Sequence, residues 1–319
     1  MSEDLTTPFR RMALIGTGLI GASFALAVRE AGRAETIAGF DTDDARKEEA
    51  ATLGVIDEAS ADFASAVAGA DLIVLATPVG AIDDLVAALN AHAEPGALII
   101  DVGSIKGAIA KAAKNTREDL YFVPCHPVAG TEQSGPAAGF ATLFRERWCI
   151  LTPLAREDDA YKNAAARAGA LWEGIGAYVE TMDAAHHDIA LAVTSHLPHL
   201  IAFTLVGAAD DLETVTQSEI VKYSAGGFRD FTRIAASDPV MWRDVFLNNK
   251  EAVLETLGRF SEELSLLQRA IRWGDGEALF TAFSRGQALR RAIVAAGQET
   301  DAPNFGRDET PSASSDKGS

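Results

Sequence analysis

The feature that most constrains this chain is a glycine pattern between a short apolar run and an apolar helical repeat. Arg11 to Ile15 leads into Gly16-Thr-Gly18-Leu-Ile-Gly21, and helical spacing continues to about Ala31, where Gly32 stops it. Each glycine has its own reason. Gly16 permits a tight turn, Gly18 lets the backbone approach a pyrophosphate, and Gly21 lets the helix pack closely on the sheet. The free N–H groups at the helix start, around Leu19 and Ile20, and the positive end of the helix dipole then face the phosphates. The same glycines could form a turn that binds nothing. An acid, Asp41, lies twenty residues beyond Gly21 at the end of a second strand, and that favours a dinucleotide. A carboxylate there accepts hydrogen bonds from ribose hydroxyls and repels a 2′-phosphate. No Arg or Lys follows until Arg46, so NAD is expected rather than NADP.

Strand and helix alternate through the first half. The second strand is Thr36 to Phe40, and a charged helix follows from about Asp43 to Leu53. Asp71 to Ala76 and Ala97 to Asp101 are continuous apolar runs, as strands covered on both faces require. Ile82 to Ala91 is helical between them, and further strands are expected at Tyr121 to Pro124, Trp148 to Leu151 and Ala177 to Thr181. This order predicts right-handed crossovers and a parallel sheet. After about Met182 the pattern turns helical: Ala184 to Ala208, Ser237 to Arg272 and Glu277 to Ala296. These helices are apolar beyond what one small bundle buries, so a homodimer through them is expected. The α/β fold class therefore comprises a parallel-sheet nucleotide domain over residues 8–181 and an all-helical substrate and dimerisation domain over 182–298. Residues 299–319, rich in Ser, Asp, Pro, Gly and Thr, read as a disordered tail.

Composition closes off other classes. With 46 acidic against 28 basic residues the formal charge is −18, which argues against a general nucleic-acid binder. Two cysteines in 319 residues cannot form a disulfide scaffold. No run approaches the ~18 uninterrupted apolar residues of a membrane span. The polar N-terminus lacks a signal-peptide core, so a cytoplasmic protein without membrane contact is the expectation.

Three polar groups stand out. Thr77-Pro78 and Asp101-Val-Gly-Ser104 lie at strand ends, where ligands of open parallel sheets bind. Ser104 could also cap the following helix, and Lys106 reads as a solvated or helix-start residue. His126 follows the strand ending at Pro124, in a loop held by Pro127. It suits a general base because its pKa lies near the operating pH, although a structural loop histidine fits its position equally well. Cys125 beside it has no further ligands at zinc spacing, so no metal is assigned. His196 and His199 share a face of a mostly apolar helix that Pro198 kinks or starts, and they read either as a metal pair or as donors to an anion. His186 and His187 carry no comparable argument. Arg229, Asp230 and Arg233 form either an oriented carboxylate-binding arginine or an ordinary surface ion pair.

Gly16-Thr-Gly-Leu-Ile-Gly21, Asp101-Val-Gly-Ser-Ile-Lys106, His126-Pro-Val-Ala-Gly-Thr-Glu132, Ser195-His-Leu-Pro-His199, Gly226-Gly-Phe-Arg-Asp-Phe-Thr-Arg-Ile-Ala235 and Asp238-Pro-Val-Met-Trp242 occur together in this order. In that combination the chain resembles the prephenate/arogenate dehydrogenases of tyrosine biosynthesis over about Arg11 to Ala296. The resemblance implies a Rossmann domain followed by a helical dimerisation domain, and an NAD-dependent oxidative decarboxylation of a cyclohexadienyl ring. It implies that His126 is the catalytic base toward the ring hydroxyl and that Ser104 orients it and the nicotinamide. Arg233 would bind a substrate carboxylate with Asp230 orienting it, and His196, His199 and the pocket acid Glu132 would line the substrate. Trp242 would lie near the partner subunit's active site. Product similarity adds an expectation of tyrosine feedback at the active site. A β-hydroxyacid dehydrogenase-like enzyme, with Lys222 or Lys250 as its lysine, and a non-catalytic NAD-binding protein are the alternatives. An anionic substrate on so acidic a chain further implies a small, locally basic cleft.

Overall fold

A computed structural model describes residues 5–131, 133–210 and 226–295. Nine strands are described: β1 (Phe9–Ile15), β2 (Ala34–Phe40), β3 (Glu58–Ala59), β4 (Leu72–Leu75), β5 (Leu98–Asp101), β6 (Tyr121–Val123), β7 (Cys125–Pro127), β8 (Trp148–Leu151) and β9 (Tyr178–Thr181). Helices α1 (Leu19–Glu30), α2 (Asp44–Thr52), α3 (Phe63–Val67), α4 (Ile82–His92), α5 (Gly107–Ala113) and α6 (Asp159–Gly174) alternate with them.

The first six strands form one parallel sheet in the order β3-β2-β1-β4-β5-β6. This is the doubly wound nucleotide-binding order, with the reversal between β1 and β4. Alternate residues feed opposite faces. Met12, Leu14, Leu72, Val74 and Ile100 enter a core with Phe24 and Trp172, whereas Ala13, Ile15, Ile73, Leu75 and Ile99 enter another with Leu89 and Phe122. Both faces are apolar, and that explains the unbroken apolar runs of the sequence.

Two expected strands lie elsewhere. β8 and β9 join β7 in a separate three-stranded sheet, with β7 and β8 antiparallel. The segment around His126 is therefore strand, not loop, and His126 pairs with Ile150.

The helical part begins with α7 (Ala184–Leu191), a π-helical turn (Ala192–His196) and α8 (Leu197–Asp210). Pro198 lacks the N–H that an α-helix needs, and the wider turn just before it lets the helix continue. The run Ala184–Ala209 is long and apolar enough to cross a membrane by length and composition alone. Within that run His187 and His196 are fully buried and hydrogen-bonded within the fold, while Ile189, Val193, Leu205 and Val206 are exposed. Then come α9 (Gly226–Thr232), a 3₁₀ turn (Arg233–Ala236), α10 (Pro239–Asn248), α11 (Lys250–Trp273) and α12 (Gly276–Ala295). The single helix expected from Ser237 to Arg272 is broken at Asn249, whose φ of −110° and ψ of 34° leave the helical region.

The chain divides into two compact units at Thr256/Leu257, inside α11. The first unit contains both sheets and the helices up to that point. Trp242 and Val245 of α10 pack with Ile105, which follows β5. In the second unit Leu264, Leu266, Ile271, Trp273, Phe280 and Phe283 are exposed.

Candidate active site

The parallel strands end on one edge of the sheet, and most of the expected residues lie there. β1 runs into Gly16, whose φ of +95° is open to glycine and strained for other residues. A Cβ at Gly16 would lie 2.3 Å from the Ala76 carbonyl oxygen, and one at Gly21 would lie 2.1 Å from the Gly16 carbonyl oxygen. Gly18 faces open space. It is the N-cap of α1 with no side-chain cap, and the first turn holds no acidic residue. The N–H groups of Leu19, Ile20 and Gly21 are thus left for a phosphate. The site fits a dinucleotide in these respects.

Asp41 follows β2 and is buried. Its Oδ2 accepts from the Thr17 N–H at 2.9 Å and the Thr17 hydroxyl at 3.1 Å, and its Oδ1 accepts from the Asp43 N–H at 3.0 Å. Arg46 stands 4.0 Å away. The glycine turn itself therefore holds the carboxylate in place. Asp41→Ala is expected to weaken NAD about 10- to 100-fold, the loss of charged hydrogen bonds to a ribose. It should narrow the preference against NADP, because the carboxylate that repels a 2′-phosphate is gone while Arg46 remains. Titration of both cofactors checks this, and unchanged NAD affinity would remove Asp41 from the site. Thr77 and Pro78 follow β4 on the same edge, with Thr77 half-buried and Pro78 exposed.

Ser104 lies in the β5–α5 link and is half-buried. It is not the cap of α5. The N-cap position is Lys106, and the helix start is capped by Asp188 of α7, which accepts from the Lys106 and Gly107 N–H groups at 2.8 Å each. Among the described residues the Ser104 hydroxyl has no protein partner, which leaves it free for a ligand.

Lys106 overturns the expectation of a solvated residue, for it is fully buried. Its ammonium donates to Asp101 Oδ2 at 2.5 Å and to the Cys125 carbonyl at 2.6 Å. Asp101 also accepts from the Gly103 and Cys125 N–H groups. Burial pushes the Asp101 carboxyl above its ordinary range, against the pull of Lys106 and these hydrogen bonds. The pair ties β5 to the residue next to His126.

His126 is buried, with its Nδ1 2.7 Å from His187 Nε2. His187 Nδ1 in turn lies 2.8 Å from Asp188 Oδ1. Asn249 donates to the Asp188 carbonyl at 2.8 Å and lies 3.1 Å from His196 Nδ1. His187, Asp188, Lys106 and Asn249 are thus site residues that the sequence reading missed. The available signal was an adjacent His-Asp pair about two helical turns before the Ser195-His-Leu-Pro-His199 cluster.

His196 Nε2 and Trp242 Nε1 are buried without a partner among the described residues. Trp242, on the helix that Asp238 caps, stacks on His199 of its own chain, with ring centroids 3.7 Å apart. It thus contacts a site histidine of its own subunit. His199 Nδ1 bonds the Ser195 carbonyl at 2.8 Å, and the charge of Arg233 helps, after burial, to lower the His199 pKa. Arg233 is exposed in the 3₁₀ turn. Asp230 lies 3.1 Å from its neighbour Arg229 on an exposed surface. Glu132 and Lys222 lie outside the described residues, and Lys250 is exposed.

Burial depresses His126, His187, His196 and His199, with His196 lowered to about 4. An unfolded histidine titrates near ~6.5, so on acidification the unfolded chain takes up these protons first. The stability they contribute is complete above that value and is lost as pH falls toward about 4. Thermal unfolding followed from neutral pH to about pH 5 should show Tm falling steadily. A flat Tm across that window would show that these rings are not held neutral.

Two family descriptions match the chain: "Prephenate dehydrogenase, nucleotide-binding domain" over residues 24–181 and "Prephenate dehydrogenase, dimerization domain" over 183–285. A cyclohexadienyl dehydrogenase of Zymomonas mobilis is 40% identical over 289 residues, covering 90% of this chain and 97% of the relative. A prephenate dehydrogenase of Bacillus subtilis is 36% identical, covering 88% and 75%. A crystal structure of prephenate dehydrogenase from Aquifex aeolicus with hydroxyphenyl propionate and NAD+ matches with a TM-score of 0.79 and 33% identity. It covers 89% of this chain and 98% of that one.

Proposed function

Because the chain belongs to the prephenate dehydrogenase family, we propose that it carries out NAD-dependent oxidative decarboxylation of prephenate, arogenate or both. The observation that carries this reading is the placement of His126. Its Nδ1 is engaged by His187, so Nε2 is the nitrogen left for a substrate, at the sheet edge shared with Ser104 and the glycine turn.

NAD bound by the glycine turn, the start of α1 and Asp41 supplies the hydride acceptor. The protein's residues do the remaining work. His126 takes the proton of the ring hydroxyl as that carbon becomes a carbonyl, and the Ser104 hydroxyl is left to bond the substrate hydroxyl. The forming carbonyl withdraws electrons as the ring carboxylate leaves as carbon dioxide, and aromatisation makes the step irreversible. His196 and Trp242 each offer a buried nitrogen that has no partner among the described residues, and His199 is held by stacking on Trp242. Arg233 supplies a guanidinium for the substrate carboxylate. The reading includes a homodimer through the helical part, supported by the matched dimerization domain and the exposed apolar residues of the second unit. It further includes a cytoplasmic setting and competitive feedback by tyrosine, which keeps the ring and side chain of the product. Purified protein given NAD with prephenate or arogenate should form NADH, and tyrosine should raise KM without lowering kcat. Failure with both substrates would sink the reading, and purely non-competitive inhibition would sink only the feedback.

A further inference from the structure

Resting on that reading, we infer that His187 is the terminal proton acceptor of the reaction, the middle member of an Asp188–His187–His126 relay. Both oxygens of Asp188 accept backbone N–H groups at the start of α5, so Asp188 acts as an acceptor toward His187. The His187 Nδ1 that faces it must carry a hydrogen. In a neutral ring His187 Nε2 is then an acceptor, and across the 2.7 Å contact His126 Nδ1 must donate. His126 Nε2 is thereby left unprotonated. One carboxylate fixes the tautomers of two rings in series, and the second of them is the base.

The same geometry sets where the charge goes. The substrate O–H bond breaks and a bond forms between that hydrogen and His126 Nε2. The His126 Nδ1–H bond breaks as the hydrogen passes to His187 Nε2. His126 ends neutral with its hydrogen on Nε2, and His187 ends as an imidazolium beside Asp188. The proton count is unchanged and the positive charge lies next to the carboxylate. Without the second transfer the charge would stay on a buried ring facing Lys106, His187 and His196. His187 faces Lys106 too, but Asp188 and Asp101 offset that cation. Asn249 holds the Asp188 carbonyl and reaches His196, so the relay and the substrate-side histidine are fixed to one frame.

The test compares His187→Gln with His187→Ala. A Gln carbonyl can still accept from His126 Nδ1–H but cannot take up a proton. The relay predicts that both variants lose kcat by about 10-fold or more with KM little changed. It also predicts that the acid limb of kcat/KM moves down by about one pH unit, because His126 alone holds a proton less well. If Gln keeps the wild-type kcat and pH profile while Ala does not, His187 only orients His126 and the relay is wrong. Nitrogen-15 NMR of histidine in the unmodified protein gives a readout that needs neither variant nor turnover. On acidification His187 should become doubly protonated while His126 carries one hydrogen, and double protonation of His126 first would overturn the proposal. Wild-type turnover separates this outcome from failure of the functional reading itself.

Discussion

Replacing His126 with Asn should lower kcat by about 1,000-fold, within the range general base catalysis supplies. NAD affinity should stay within about twofold, because the glycine turn and Asp41 are untouched. Asn is close to His in its first bonds and can still hydrogen-bond His187, but it has no basic nitrogen. The loss should therefore fall on kcat and leave KM nearly unchanged, the sign of an interaction made in the transition state. His126 is held from two sides. β7 pairs it with Ile150, and Lys106 grips the carbonyl of Cys125 just before it. A His126→Asn variant with wild-type kcat would show that the base is another group.

The largest stability effect is expected at Lys106. Its ammonium is fully buried between Asp101 and the Cys125 carbonyl. Lys106→Met fills similar space but leaves Asp101 without its counter-charge in the core. Breaking a buried pair from one side costs about 3–5 kcal/mol. Adding Asp101→Asn removes the stranded charge, and the amide oxygen can still accept from Gly103 or Cys125. The double variant should recover a good part of the loss, since replacing both members of a buried pair is often close to neutral. Denaturant unfolding of the three variants measures this. A single variant as stable as the wild type would mean that the pair does not hold the core together.

How far the sequence could be read depended on the range of each interaction. The glycine turn, the acid ending β2 and the apolar strands are local features, each decided within a few residues by backbone sterics or by burial on both faces. They were readable for that reason, and so was the six-stranded sheet. β8 and β9 have the same local look, but a separate sheet is chosen by long-range pairing with β7, which no local pattern states. The relay is non-local in the same way. His187 lies 61 positions from His126, and Asn249 lies 53 from His196. His187 looked like an unremarkable helical residue until the fold brought it to His126. Lys106 misled because a lysine near a helix start is ordinarily solvated, and only the convergence of β5 and β7 gives it two acceptors.

The acidic balance of −18 also takes on a local meaning. Around His126 and His196 the buried charges are Lys106 paired with Asp101, and Asp188, which accepts two backbone N–H groups and faces His187; His196 Nε2 and Trp242 Nε1 have no partner among the described residues. An anionic substrate would meet hydrogen-bond donors there and the guanidinium of Arg233 near His199.

The central claim is that one turnover couples hydride transfer to loss of the ring carboxylate, with the hydroxyl proton taken by His126. Its most direct test follows NADH and carbon dioxide together from purified protein, NAD and carboxyl-labelled prephenate or arogenate. Equal amounts of the two products at every time point, abolished together in His126→Asn, are the predicted result. NADH formed without carbon dioxide, or no NADH from either substrate, would contradict the account.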